Sequence, residues 1–229
     1  MKPICAVLLT MLFAGACAVA EEQQLFNGKD LTGWEGNTDL WSVQDGCITG
    51  RTTKETPAPG NTFLIWKGGE VSDFELTLKV KFTTEPDNGF GNSGIQFRSK
   101  VADPAKFVVG GYQGDMATTT TYFGMLYEER GRGILDNVGS KVLIKEAPEP
   151  AGTLGKPDEI LAGLKPTEWN EYRIVAKGSL IRIYVNGRQT IELDDQSKAA
   201  ASAGVLALQL HAGPPMMVQF KDLVLKPLK

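Results

Sequence analysis

The side chains best able to do chemistry lie in three short stretches whose alternation gathers polar groups on one side. In Asn92-Ser-Gly-Ile-Gln-Phe-Arg-Ser99, Ile95 and Phe97 point one way, so Gln96 and Arg98 point the other if the segment is a strand. In Tyr112-Gln-Gly-Asp115, Gln113 and Asp115 share a face. In Leu206-Ala-Leu-Gln-Leu-His211, the leucines share one face while Gln209 and His211 share the opposite one. Should these strands be neighbours, the six side chains converge on a polar surface suited to a sugar, whose hydroxyls need many planar donors and acceptors. The solvent face of any antiparallel sheet is also polar, so periodicity alone leaves both readings open.

The ionisable groups suggest more than recognition. His211 is the single histidine, and no other side chain titrates near neutrality without help, so it is a candidate acid, base or donor. Asp115 and the Glu128-Glu129 pair offer the second carboxyl group that a glycosidase using two carboxyls requires. The run from Glu128 through Arg130 to Arg132 reads equally well as a solvated charged loop. Tyr112 and Tyr127, in a glycine-rich middle region, are the aromatics best placed to stack on a pyranose, whereas Trp41 and Trp169 begin strands and are expected inside.

The elements that must position these groups are strands. Phe74-Glu-Leu-Thr-Leu-Lys-Val-Lys-Phe82 alternates strictly, one face wet and one buried. Tyr172 to Ala176, Leu180 to Val185 and Arg188 to Leu193 form a meander, with Asn186-Gly187 supplying a type I′ turn. Gly204 to His211 and Val218 to Leu225 add two strands separated by Gly213-Pro214-Pro215. The stretches 86–94, 110–139 and 148–166 are expected to be long Gly- or Pro-rich loops, the last with a short helix near 158–162. This pattern predicts an all-β, antiparallel sandwich.

The first twenty residues set the compartment. Lys2, the apolar run Ile4 to Phe13 and Ala18-Val19-Ala20 read as a signal peptide over 1–20, leaving one domain over 21–229 that is secreted or periplasmic. Ala14-Gly15-Ala16-Cys17 offers a lipoprotein alternative with Cys17 as the lipid-bearing terminus. The apolar run is shorter than the about 20 residues of a membrane span. Cys47 is the one cysteine left after position 20, so no intrachain disulfide is expected. A net charge of −3 and a pI near 5.4 argue against nucleic acid as a partner. One histidine and one mature cysteine cannot close a structural zinc site, while calcium or another oxygen-liking divalent cation remains open.

Several segments together resemble the 3-keto-disaccharide hydrolase domain family: Leu25-Phe-Asn-Gly-Lys-Asp-Leu-Thr-Gly-Trp34, Trp41 to Gly46, Asn92 to Arg98, Gly111 to Asp115, Trp169-Asn-Glu-Tyr172, Val185-Asn-Gly187 and Leu208-Gln-Leu-His-Ala-Gly213. The resemblance implies a concanavalin A-like, laminin G-like jelly roll. Its polar site pattern matches at Arg98, Gln113, Asp115 and His211, and more loosely at Glu128 and Arg130; the short Tyr112-Gln113-Gly114-Asp115 stretch departs from a fuller Glu-containing version. The implied reaction is hydrolysis of 3-keto-glycosides by proton abstraction at carbon two, elimination and hydration. In it Asp115 or Glu128 would be the base, Arg98 or a cation the enolate stabiliser, and His211 the acid or an orienting group. Gln96, Tyr112, Gln113, Tyr127, Arg130 and Gln209 would bind the sugar. The competing readings are a non-catalytic carbohydrate-binding module and a cell-surface adhesion domain.

Overall fold

The computed structural model describes residues 21–84 and 89–229; the leader reading, Cys17 included, and the stretch 86–88 lie outside the described residues. In chain order the strands are β1 (Gln23–Gln24), β2 (Trp34–Glu35), β3 (Trp41–Gln44), β4 (Cys47–Arg51), β5 (Thr62–Trp66), β6 (Phe74–Thr84), β7 (Asn92–Asp103), β8 (Val108–Ala117) and β9 (Leu126–Glu129). They continue as β10 (Gly133–Asp136), β11 (Ser140–Ile144), β12 (Pro148–Thr153), β13 (Asn170–Lys177), β14 (Leu180–Val185), β15 (Arg188–Asp195), β16 (Val205–Leu210) and β17 (Met216–Pro227). Among the described residues the one α-helix, α1, is Pro157–Ile160.

The strands form two sheets. The larger runs β12-β11-β15-β14-β13-β6-β17-β4-β3, with β1 added to β17, and the smaller runs β10-β9-β8-β7-β16-β5-β2. β6 is central in the larger sheet, and its Phe74, Leu76, Leu78, Val80 and Phe82 are buried while the residues between them are not. That alternation lets one face of β6 meet the smaller sheet. The register Tyr172↔Leu78 and Ile174↔Leu76 carries the same face onto β13. Between the sheets Phe97 lies edge-on to Phe74 at 5.9 Å and stacked on Tyr112 at 5.7 Å, while Phe123 tilts against Tyr172 at 6.1 Å. Removing a buried ring of this kind costs about 3 to 5 kcal/mol through lost transfer energy and the cavity left behind.

The antiparallel sandwich is the architecture found, and among the described residues one pair, β11 with β15, is parallel. The meander closes at Asn186 (φ 49°) and Gly187 (φ 79°), the two positive angles that a type I′ turn needs. Three expectations change. The glycine-rich span 110–139 is mostly sheet: β8, β9 and β10 occupy much of it, because glycine there admits close side-chain approach as well as turning. The Pro-punctuated segment from Pro148 begins as β12, which lies at the outer edge of its sheet, where a missing N–H does no harm. Trp41 is in the core at 1% exposure, but Trp169 is only partly buried and its ring faces Lys221 Nζ at 4.2 Å and Lys81 Nζ at 4.9 Å on the outer surface. Among the described residues no helix is long and apolar enough to cross a membrane.

Candidate functional site

The outer face of the smaller sheet carries the polar groups. On β8, Tyr112 and Met116 turn into the core and Gln113 and Asp115 turn the other way. The β8–β9 register sets Tyr127 opposite Gln113 and Glu129 opposite Gly111, so both belong to that outer face. β16 is sorted in the same manner, its leucines inward and Gln209 outward, with His211 just beyond its last residue. Asn61 immediately precedes β5. Together these side chains, with Asn92, Tyr122, Met125 and Ile134 at the margin, line a depression of about 350 Å³.

The depression exists because the sheet curls. β9 and β16 are separated by β8 and β7, about 14 Å in a flat sheet of ordinary strand spacing. Yet Gln209 Nε2 donates to Glu129 Oε2 at 3.2 Å, which requires the outer face to be concave. Gly94 assists: a Cβ there would meet Gln113 Cγ at 2.5 Å, so only glycine lets the Gln113 side chain lie across β7.

Two hydrogen-bonded chains hold the carboxylates. Ser99 Oγ donates to Gln96 Oε1 at 2.8 Å, Gln96 Nε2 to Gln113 Oε1 at 2.6 Å, and Gln113 Nε2 to Asp115 Oδ1 at 3.4 Å. Because each amide carbonyl accepts from the preceding donor, each NH2 group is turned toward the next member, and the chain ends on Asp115. The Met116 backbone N–H donates to the same Oδ1 at 3.0 Å. Burial nonetheless pushes the Asp115 carboxyl up to about 7; these two donors oppose the rise and the nearby Glu129 charge adds to it. Glu129 receives Asn61 Nδ2 at 3.4 Å as well as Gln209, and Asn61 is itself fixed by accepting the Ala212 N–H at 3.1 Å. Gln209 Oε1 is buried with no partner among the described residues, an arrangement that costs about 1 to 3 kcal/mol and marks a site not optimised for stability alone. His211 Nδ1 contacts the Ala212 carbonyl, which places a proton on Nδ1 and leaves Nε2 as the acceptor of the neutral ring. Phe90 packs against that ring at 6.0 Å.

The structure thus brings together Gln113, Asp115, Tyr127, Gln209 and His211, and it moves five other sequence candidates away. Arg98 has φ 46° at a bulge where the register with β8 shifts between Phe97 and Lys100; the extra residue reverses the alternation. Its guanidinium, 2% exposed, turns away from the depression and donates to Ser72 O at 2.7 Å, Gly178 O at 2.7 Å and Asp73 Oδ1 at 2.9 Å. Tyr112 is an inward residue whose hydroxyl donates to Asp195 Oδ2 at 2.5 Å. Glu128 lies on the opposite face from Tyr127 and Glu129 and accepts Arg132 Nε at 2.7 Å and Nη2 at 2.9 Å. Arg130 occupies the exposed turn between β9 and β10 with φ 58°. Gln96 is fully buried beneath Gln113 and orients it without lining the depression. Glu129 replaces Glu128, and strand parity could have found it, since choosing Tyr127 selects the residue two further on. Asn61 carried no such signal.

Among the described residues no group of three or more His, Cys, Asp or Glu side chains stands close enough to hold a metal ion, so Asp115, Glu129 and His211 do not form a ready cation site. What they do form is a concave, amide-lined bowl with two carboxyl groups and an imidazole, able to hydrogen-bond a polyol and to move protons at its carbon skeleton.

Solved structures with this fold include a provisionally assigned glycosyl hydrolase from Parabacteroides distasonis ATCC 8503, 19% identical, with a TM-score of 0.58 over 91% of this chain and 100% of the other. The carbohydrate binding module CBM66 from Bacillus subtilis is 17% identical, with a TM-score of 0.56 over 85% and 95%. The Bacillus licheniformis beta-glucanase is 12% identical, with a TM-score of 0.52 over 93% and 100%. At such identities the likeness is one of fold. No curated protein matches the chain. The model of the 3-keto-alpha-glucoside-1,2-lyase-like domain matches residues 21–226, which makes the function carbohydrate-related. Matched over nearly all of its described length, the chain belongs to the 3-keto-alpha-glucoside-1,2-lyase-like domain family.

Proposed function

We propose that the protein cleaves the glycosidic bond of 3-keto-glycosides outside the cytoplasm, by elimination followed by hydration. The observation that carries this reading is the convergence of Asp115, Glu129 and His211 in one concave depression. A ketone at carbon three acidifies the hydrogen on carbon two. A base removes that proton, the electron pair forms an enolate with the carbon-three oxygen, and its collapse expels the carbon-one oxygen, which takes a proton and departs as an alcohol. The sugar is left as an enone with a double bond between carbons one and two. Water then adds, its oxygen to carbon one and a proton to carbon two, giving the free 3-keto sugar. An enzyme that stopped before hydration would be a lyase; one that completed it would be a hydrolase.

Asp115 suits the base, because a carboxylate with a pKa near 7 is far more basic than an ordinary one while still half ionised at neutral pH. Glu129, held by two amides, is placed to handle the proton of the leaving oxygen and of the incoming water. With Arg98 committed elsewhere, stabilisation of the enolate falls to neutral donors of the depression, of which the Tyr127 hydroxyl is the strongest, while His211 offers its Nε2 as an acceptor. The export part of the proposal rests on residues 1–20.

The test is turnover of a chromogenic 3-keto-glucoside beside the ordinary glucoside. Release from the keto form alone, with the enone seen transiently, supports the elimination route. Release from neither, with sugar binding retained, would mean a binding module.

A further inference from the structure

Next to the catalytic depression lies a second, larger one of about 690 Å³. Buried Leu135 and Ile144 form its floor, Ile134 and Pro148 add exposed apolar surface, and exposed Lys145, Glu146 and Lys198 stand at its rim. Neither lysine makes an ion pair among the described residues. Ile134 lines both depressions. It is the cross-strand neighbour of Tyr127 on β9, and 49% of this large aliphatic side chain faces water. The wall between them is therefore a single apolar side chain standing up from the sheet edge. Arg132 closes one side of the larger depression, fixed by Glu128, by Asp195 Oδ2 at 2.7 Å and by Ser197 Oγ at 3.1 Å, so this boundary is rigid.

A sugar does not need such a floor. The catalytic depression is lined by amides and carboxyls, as a polyol requires, whereas the adjoining one offers hydrocarbon beside two lysines and one glutamate, and the two meet at Ile134. We propose that the second depression is the leaving-group site, and that the substrates are 3-keto-glycosides of aromatic aglycones, with the aryl ring crossing Ile134 onto the apolar floor. This rests on the catalytic reading above. Burial of one ring on that floor pays a binding increment that a methyl group or a second sugar cannot match. The two rim lysines outnumber Glu146 and further favour aglycones that bear a carboxylate or become a phenolate on departure.

The test fills the second depression without altering the first. Ala199, exposed on its margin and absent from the catalytic lining, is replaced in Ala199→Trp. For wild type and variant, kcat/KM is measured on phenyl and methyl 3-keto-glucosides of both anomers, alongside the thermal midpoint. A fall of at least tenfold in the phenyl-to-methyl ratio is expected, carried by KM. An unchanged ratio, with either both substrates intact or both equally impaired, overturns the leaving-group site and leaves the catalytic reading standing. If wild type cleaves no keto-glycoside, the catalytic reading has failed, and calorimetric binding of phenyl against methyl glucoside decides: selective loss of the phenyl compound in Ala199→Trp keeps an aryl site, and equal binding removes it.

Discussion

Replacing Asp115 by Asn should stabilise the protein and disable it at once, in a pH-dependent way that follows from the burial of this carboxyl. Asp115 is 5% exposed, and its pKa rises from 3.8 to about 7. The folded protein therefore holds a proton that the unfolded chain releases between those values, so stability is fully present below pH 3.8 and declines as pH rises, levelling off above about 7. The full gap is worth about 4 kcal/mol, at about 1.4 kcal/mol for each tenfold change in proton affinity. Asparagine has the same shape, can still accept the Met116 N–H, and carries no charge to desolvate. Asp136, whose carboxyl burial also raises to about 7, is present in both proteins and cancels. Thermal denaturation of wild type and Asp115→Asn from pH 4 to 9 should show midpoints that nearly coincide at the acid end. They should diverge in favour of the variant up to pH 7 and then run parallel, separated by about 8 to 16 °C for a chain of this size. Turnover should fall by at least about 100-fold. A midpoint difference that stays constant across the range would show that Asp115 does not titrate in that window, and would remove the physical basis for making it the base.

Four further outcomes follow from the geometry. Glu129→Gln should keep the fold and lower kcat by about 100-fold or more, whereas Glu128→Gln should leave kcat within about twofold and weaken only the Arg132 anchor; the opposite ranking, read by steady-state kinetics, would put the wrong carboxylate in the site. Arg98→Met should lower stability by about 3 to 5 kcal/mol in urea denaturation, because Asp73 and two carbonyls lose a buried cation, while kcat per folded molecule changes little. Gly94→Ala should force the Gln113 side chain aside and lower kcat/KM with a smaller effect on the thermal midpoint than on turnover. Chelation with EDTA should leave turnover unchanged, since the described residues offer no group of three metal-binding side chains; loss restored by calcium would mean that substrate completes a cation site.

Strand periodicity made much of this architecture readable in advance. Phe74 to Phe82, the Asn186-Gly187 meander and the leucines of β16 each encode which face is buried, and from that the outward grouping of Gln113 with Asp115 and of Gln209 with His211 follows. The same rule misled at Arg98, where a bulge with positive φ reverses the alternation; at Tyr112 alternation with Gln113 does set the ring inward on β8, and it was the glycine-rich composition around it that suggested a sugar-stacking position. Local pattern cannot announce a bulge, since the extra residue is defined only against the partner strand.

The sequence by itself determined the class of fold and the residue types that line the candidate site, because alternation and turn chemistry are local properties written along the chain. The tertiary structure decided which carboxylates meet. Curling of the smaller sheet brings Glu129 within 3.2 Å of Gln209 across two intervening strands, carries Asn61 to the same carboxylate and buries Asp115 deeply enough to raise its pKa. Those distances and that desolvation depend on how far one sheet bends around another, a property of the packed whole that no single segment contains.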